Sequence, residues 1–182
     1  MKRLVLACLL ALACVAPARA EINLFAGPDL YKAVSANDMK TVRQLLLRGE
    51  NINGLDATGR TPLITAITQG YVDMAKLLLD NGANPGRTDK GGNPPLYWAA
   101  NAGDAQMADL LLQKGAKPDQ ENKDGLTPLM VAARQGRADV VERLLKAGAK
   151  PDRSDFAGRD ALSWAQESRN SRVTTLLRNA KR

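Results

Sequence analysis

The chain has 182 residues, is 45% hydrophobic but only 4% aromatic, and carries a formal net charge of +7. That length suits one globular domain, whose core must be built from Ala, Leu and Val. No His is present and only two Cys, Cys8 and Cys14, which excludes Ser-His-Asp and Cys-His catalysis and the usual metal-ligand sets.

In chain order, Lys2 and Arg3 precede the apolar run LVLACLLALACVA, and PARA follows. A basic start, an apolar stretch and a small-residue site at Ala18-Arg19-Ala20 predict a signal peptide over 1–20, cut after Ala20. The apolar stretch is too short for a permanent membrane span. A retained anchor is one alternative. A lipoprotein modified at Cys14 is another, although ALAC is an imperfect lipidation signal, with Ala11 where Leu is usual. The mature chain is therefore expected in the periplasm or outside the cell, with no membrane span. Loss of Lys2, Arg3 and Arg19 lowers Lys+Arg from 26 to 23 against 19 acidic residues, a net charge of +4. So mild a basic balance, on an exported chain, argues against a nucleic-acid partner. Both cysteines leave with the signal, so no disulfide forms although the compartment permits one.

From residue 22 onward the chain repeats itself every 33 residues. Leu30, Leu63, Leu96, Leu129 and Leu162 form one ladder, and Ala33, Ala66, Ala99, Ala132 and Ala165 a second. Leu45, Leu78, Leu111, Leu144 and Leu177 form a third, and Gly59, Gly92, Gly125 and Gly158 a fourth. Each unit after the first opens with a turn (DATG, DKGG, NKDG, DFAG). Thr61 and Thr127 then cap a helix whose first position is Pro62 or Pro128, where no backbone donor is missed. Small Ala three residues after the ladder Leu lets the next helix approach. Gly70, Gly103 and Gly136 end this helix in the left-handed region. A second helix follows, with Asp73 or Asp139 favouring its positive end. Gly49, Gly82, Gly115 and Gly148 stop it, and Pro85, Pro118 and Pro151 prevent continuation.

The pattern G-x-TPL-x-x-AA-x-x-G-x-x-x-VV-x-x-LL-x-x-GA resembles the ankyrin repeat. The resemblance implies an all-α solenoid of about five helix-turn-helix units with short hairpin-like turns, over 21–182. The units fall at about 22–54, 55–87, 88–120, 121–153 and 154–182. The first lacks TPL. The last has Asp160-Ala161 in place of Thr-Pro and Arg169 where Gly is usual; terminal repeats are atypical because one face meets solvent. The His that usually follows TPL is replaced by Ile64, Tyr97, Met130 and Ser163, which puts some turn-to-turn rigidity in doubt.

No motif for catalysis or for a cofactor stands out. Carboxylate pairs such as Asp152 and Asp155 are expected on exposed loops, and DKGG is a repeat turn rather than a phosphate loop. What varies between units is the turn tips and one face of each first helix, which in ankyrin proteins line a concave groove for other proteins. The candidate partner-binding residues are Arg60, Thr65 and Gln69; Lys90, Asn93, Tyr97, Trp98 and Asn101; Lys123, Asp124, Leu126, Arg134 and Gln135; and Phe156, Arg159 and Trp164. Arg60, Lys90, Lys123 and Arg159 are expected to form a basic ladder along one edge, suited to an acidic partner or simply to solubility. Trp98 shares a ladder position with Trp164 and serves either packing or anchoring. The resemblance implies a monomeric, non-catalytic binding module of a bacterial periplasm. Small exported ankyrin proteins of that kind include immunity proteins against delivered toxins such as phospholipases, and peroxide-defence factors that support a catalase. An enzyme or small-ligand binder is the remaining alternative.

Overall fold

Ten helices in five pairs fill the residues that the computed structural model describes, 29–180. The signal peptide, its cleavage site and both cysteines lie outside the described residues. The pairs are α1 (Leu30–Ser35) with α2 (Met39–Leu47), α3 (Pro62–Thr68) with α4 (Val72–Asp80), α5 (Pro95–Ala102) with α6 (Ala105–Gln113), α7 (Pro128–Arg134) with α8 (Ala138–Lys146), and α9 (Ala161–Ser168) with α10 (Ser171–Ala180). Among the described residues there is no strand. One isolated antiparallel bridge joins Ser154 and Asp160.

The local signals act as expected. Thr61 Oγ1 accepts the Ile64 N–H at 3.1 Å and Thr127 Oγ1 the Met130 N–H at 3.3 Å, with Pro62 and Pro128 in the first turn. In the last unit Asp160 takes over as the cap of α9, accepting from the Ser163 N–H at 2.8 Å. The first helices end in a left-handed ladder: Gly70 (φ 73°), Gly103 (φ 80°) and Gly136 (φ 67°) inside, Asn37 (φ 53°) and Arg169 (φ 53°) at the two ends. Only the terminal units place side chains there. The two- or three-residue connections that hold these residues fold each second helix back on the first. Asp38 and Asp104 cap α2 and α6, and Asp73 and Asp139 lie in the first turns of α4 and α8.

Stacking makes the core. First helices touch in the order α1, α3, α5, α7, α9, and second helices in the order α4, α6, α8, α10. The Ala ladder is buried throughout, as is the Leu45-to-Leu177 ladder. No unit can bury both faces alone, so stability is a sum of neighbour interfaces. On the outer side, acidic residues of one unit pair with basic residues of the next: Asp80 with Lys114 at 2.6 Å, Asp109 with Arg143, and Asp139 with Arg172 at 2.9 Å. These exposed pairs mark register more than they add stability.

At the positions where the usual His is missing, Ile64 and Met130 are buried, and the Met130 sulfur accepts the Thr127 N–H at 3.5 Å. Neighbouring turns are tied elsewhere, for one by Asn122 Nδ2 donating to Asn93 Oδ1 at 2.9 Å.

Candidate functional site

Each turn is built around one side chain of a further 33-residue ladder, Asp56, Asp89, Asn122 and Asp155. Its Oδ1 accepts the backbone N–H four residues on: Arg60 at 2.9 Å, Asn93 at 2.9 Å, Leu126 at 3.0 Å and Arg159 at 2.9 Å. In three of the turns the N–H two residues on joins it: Thr58 at 2.8 Å, Asp124 at 2.9 Å and Ala157 at 2.9 Å. Neighbouring tips are then laced together. Lys90 N–H donates to Gly59 O at 2.8 Å, Phe156 N–H to Asp124 O at 3.2 Å, and Lys123 Nζ to Lys90 O at 2.8 Å.

In two units the second carboxylate oxygen reaches the first helix. Asp89 Oδ2 accepts Trp98 Nε1–H at 2.9 Å, and Asp155 Oδ2 accepts Trp164 Nε1–H at 3.1 Å. An arginine of the preceding unit lies over each indole: Arg60 at 5.1 Å from the Trp98 centroid, Arg134 at 5.1 Å from that of Trp164. Arg159 also stacks on Trp164, at 3.5 Å. Tyr97 meets Trp98 edge-on at 5.6 Å. Burial alone would raise the Asp155 pKa. The bonds from Arg159 N–H, Trp164 Nε1–H and Ala157 N–H, with the Arg159 charge, outweigh burial and hold the carboxyl below its ordinary value.

The turns of the last two units, α7 and α9 enclose a cleft of about 430 Å³. Asp124, Leu126, Arg134, Phe156, Arg159 and Trp164, all predicted site residues, line it, and Asp155 and Ala157 complete the wall.

The repeating pairs, their turns and the 33-residue register have a family counterpart: the family model of ankyrin repeats (3 copies) matches residues 30–122 and 96–181. The chain belongs to the ankyrin-repeat family. Its repeats are a protein–protein interaction module, and the family is typically non-catalytic. Comparison with curated proteins gives no match.

The ankyrin scaffold sorts the sixteen candidates. Arg60, Asn93, Tyr97 and Trp98 gather around Asp89. Lys90 and Lys123 are exposed on the tips, and Gln69 is exposed at the end of α3. Asn101 Oδ1 accepts from Gln135 Nε2 at 2.9 Å, a bond between adjacent first helices. Four expectations need correction. Leu126 is not a free tip residue but is 8% exposed, because its apolar side chain joins the core cluster where the polar residues at the same ladder position do not. Thr65 is buried where the first helices stack, and its Oγ1 has no hydrogen-bond partner among the described residues. Asp155 is buried rather than on an open loop, since it anchors its turn. The four cations do not form one ladder: Lys90 and Lys123 occupy the tip, while Arg60 and Arg159 stand three residues further along the repeat, over the tryptophans. Trp164 is itself buried at 6% exposure, sealed by its two arginines, whereas Trp98 stays half-buried. Asp89 and Asp155 are the residues missed as site builders. Their place on one 33-residue ladder, two periods apart, and the nine-residue step to each Trp are visible in the sequence.

No helix of the described residues is long and apolar enough to cross a membrane.

Proposed function

We propose that the chain is an exported ankyrin-repeat module that, in a bacterial periplasm, binds and modulates or protects a partner protein through its turns and first helices. One observation carries this reading. The only two tryptophans in the chain occupy the same ladder position on this face, each held by a turn aspartate and covered by an arginine. Units two and four put Thr65 and Val131 at that position, so stacking does not require an aromatic there. Trp and Arg are the residue types that dominate binding hot spots. Export is supported by the charged, apolar and small-residue succession of 1–20.

Affinity capture from periplasmic extract tests the reading, with Arg60→Gln, Trp98→Ala and Arg134→Gln as controls. Partner capture should fall in each variant. If all three retain every partner, the face is misassigned. A Trp98→Ala variant that loses stability but keeps its partners would make that indole a packing residue. Fractionation with N-terminal sequencing checks export, the mature chain being expected to begin at Glu21. The captured partner separates neutralisation of a delivered toxin from support of a catalase.

A further inference from the structure

Resting on the partner-binding reading of this face, we propose that the cleft around Trp164 receives a carboxylate side chain, Asp or Glu, from an extended partner segment, with an apolar side chain beside it.

Arg134 supplies the charge. Among the described residues it forms no ion pair, and its guanidinium lies over the Trp164 ring. Arg159, by contrast, is already flanked by Asp155 and Glu167, each at 3.5 Å. A guanidinium held over an indole by a cation–π contact keeps N–H donors for bonds to a carboxylate. The ring also restrains the side chain, so less freedom is lost on binding.

The apolar half is equally defined. Phe156 is 77% exposed at the cleft mouth, with Leu126 and Trp164 as the floor. An apolar side chain laid on Phe156 removes that ring from water.

The sign of the surrounding face agrees. Asp89 and Asp155 are turned inward, their oxygens taken by turn amides and indoles. Lys90 and Lys123 remain exposed on the tips. An acidic segment therefore approaches a positive rim. The exception is Asp124, exposed and part of the lining, which opposes a carboxylate and limits affinity.

The test is an array of octapeptides covering every pair of residue types at the two central positions, probed with the full chain at low and high salt. Spots with Asp or Glu beside an aromatic or large aliphatic residue should retain the chain most and lose it at high salt. Arg134→Gln should weaken those spots about tenfold, as expected for a charge-assisted hydrogen bond. Arg134→Lys should restore them only in part, and Asp124→Asn should strengthen them. Thermal melts identify any variant that fails to fold. Equal retention by neutral or basic pairs overturns the proposal, as does an Arg134→Gln pattern identical to the native one. If acidic spots stay silent while periplasmic capture still depends on Arg60 and Trp98, the carboxylate cleft fails and the binding module stands. If capture also ignores Arg60 and Trp98, the reading of the whole face fails.

Discussion

Trp164 donates its indole N–H to the Asp155 carboxylate at 3.1 Å, closing a loop of nine residues between a turn and the helix that follows it. The same carboxylate accepts the backbone N–H groups of Ala157 and Arg159. One buried side chain thus shapes the tip and aims the indole that the arginines cover. Asp155→Ala leaves three donors without their acceptor and should cost about 2–3 kcal/mol. Asp155→Asn should cost only about 1 kcal/mol, because Asn122 folds the preceding turn with the same two backbone bonds. Urea midpoints at constant slope measure both. Equal losses would show that charge, rather than acceptor geometry, holds the turn.

Acid should loosen the solenoid through these turns. At Asp56, as at Asp155, burial raises the pKa, but backbone and side-chain hydrogen bonds, with a nearby arginine, leave it lowered. A folded pKa below the unfolded one contributes stability that is present above the unfolded value and lost as pH falls through the folded one. Unfolding free energy should therefore be level from about pH 8 to 5 and fall below about pH 4. The absence of His removes the usual inflection near neutrality. Asp155→Asn should flatten the acid limb in a series of urea melts, and an unchanged limb would contradict the assignment.

Gly59 and Gly158 hold the same place in their turns with nearly the same backbone, φ 79° and φ 78°. A Cβ on Gly59 would lie 2.4 Å from Lys90 Cβ in the next unit, whereas one on Gly158 meets nothing within 4 Å. Gly158→Ala should therefore cost about 1 kcal/mol, the left-handed strain alone. Gly59→Ala adds a clash between units and should cost about 2–4 kcal/mol. Similar melting temperatures for the two variants would mean that the tips are not in close contact.

Arg169 takes a left-handed conformation (φ 53°) where the three internal units use glycine. Arg169→Gly should stabilise the last pair by about 0.5–1 kcal/mol, the relief of strain less the added freedom of the unfolded chain. Asn37→Gly at the other end should gain less, because Asn tolerates this region. Thermal melts decide, and a loss of stability in Arg169→Gly would mean that its side chain contributes contacts that outweigh the strain.

Much of this protein was legible from residues alone. Thr61 and Thr127 name helix starts, Gly70 and Gly103 name helix ends, and Pro62 and Pro128 name first turns, because each answers a local demand of the backbone. Six candidates picked for variability do converge on one cleft, since they lie on the turns and first helices that neighbouring units bring side by side. Leu126 and Thr65 went astray for a different reason. Variation between units shows that a position is not fixed by the repeat, but not that it is exposed.

The 33-residue pattern by itself determined the five units, their caps and the left-handed stops, because these follow from φ/ψ limits and from apolar faces that one unit cannot bury alone, and the motif inside each unit carried the resemblance to the ankyrin family. Only the tertiary structure decided that Asp155 is buried, that Arg134 of one unit and Arg159 of the next share the indole of Trp164, and that Phe156 stands exposed beside them. Such relations depend on the offset between stacked units and on side-chain rotamers. A ladder of identical spacings specifies that neighbours stack, whereas the groups that meet across the stack are chosen by geometry between units.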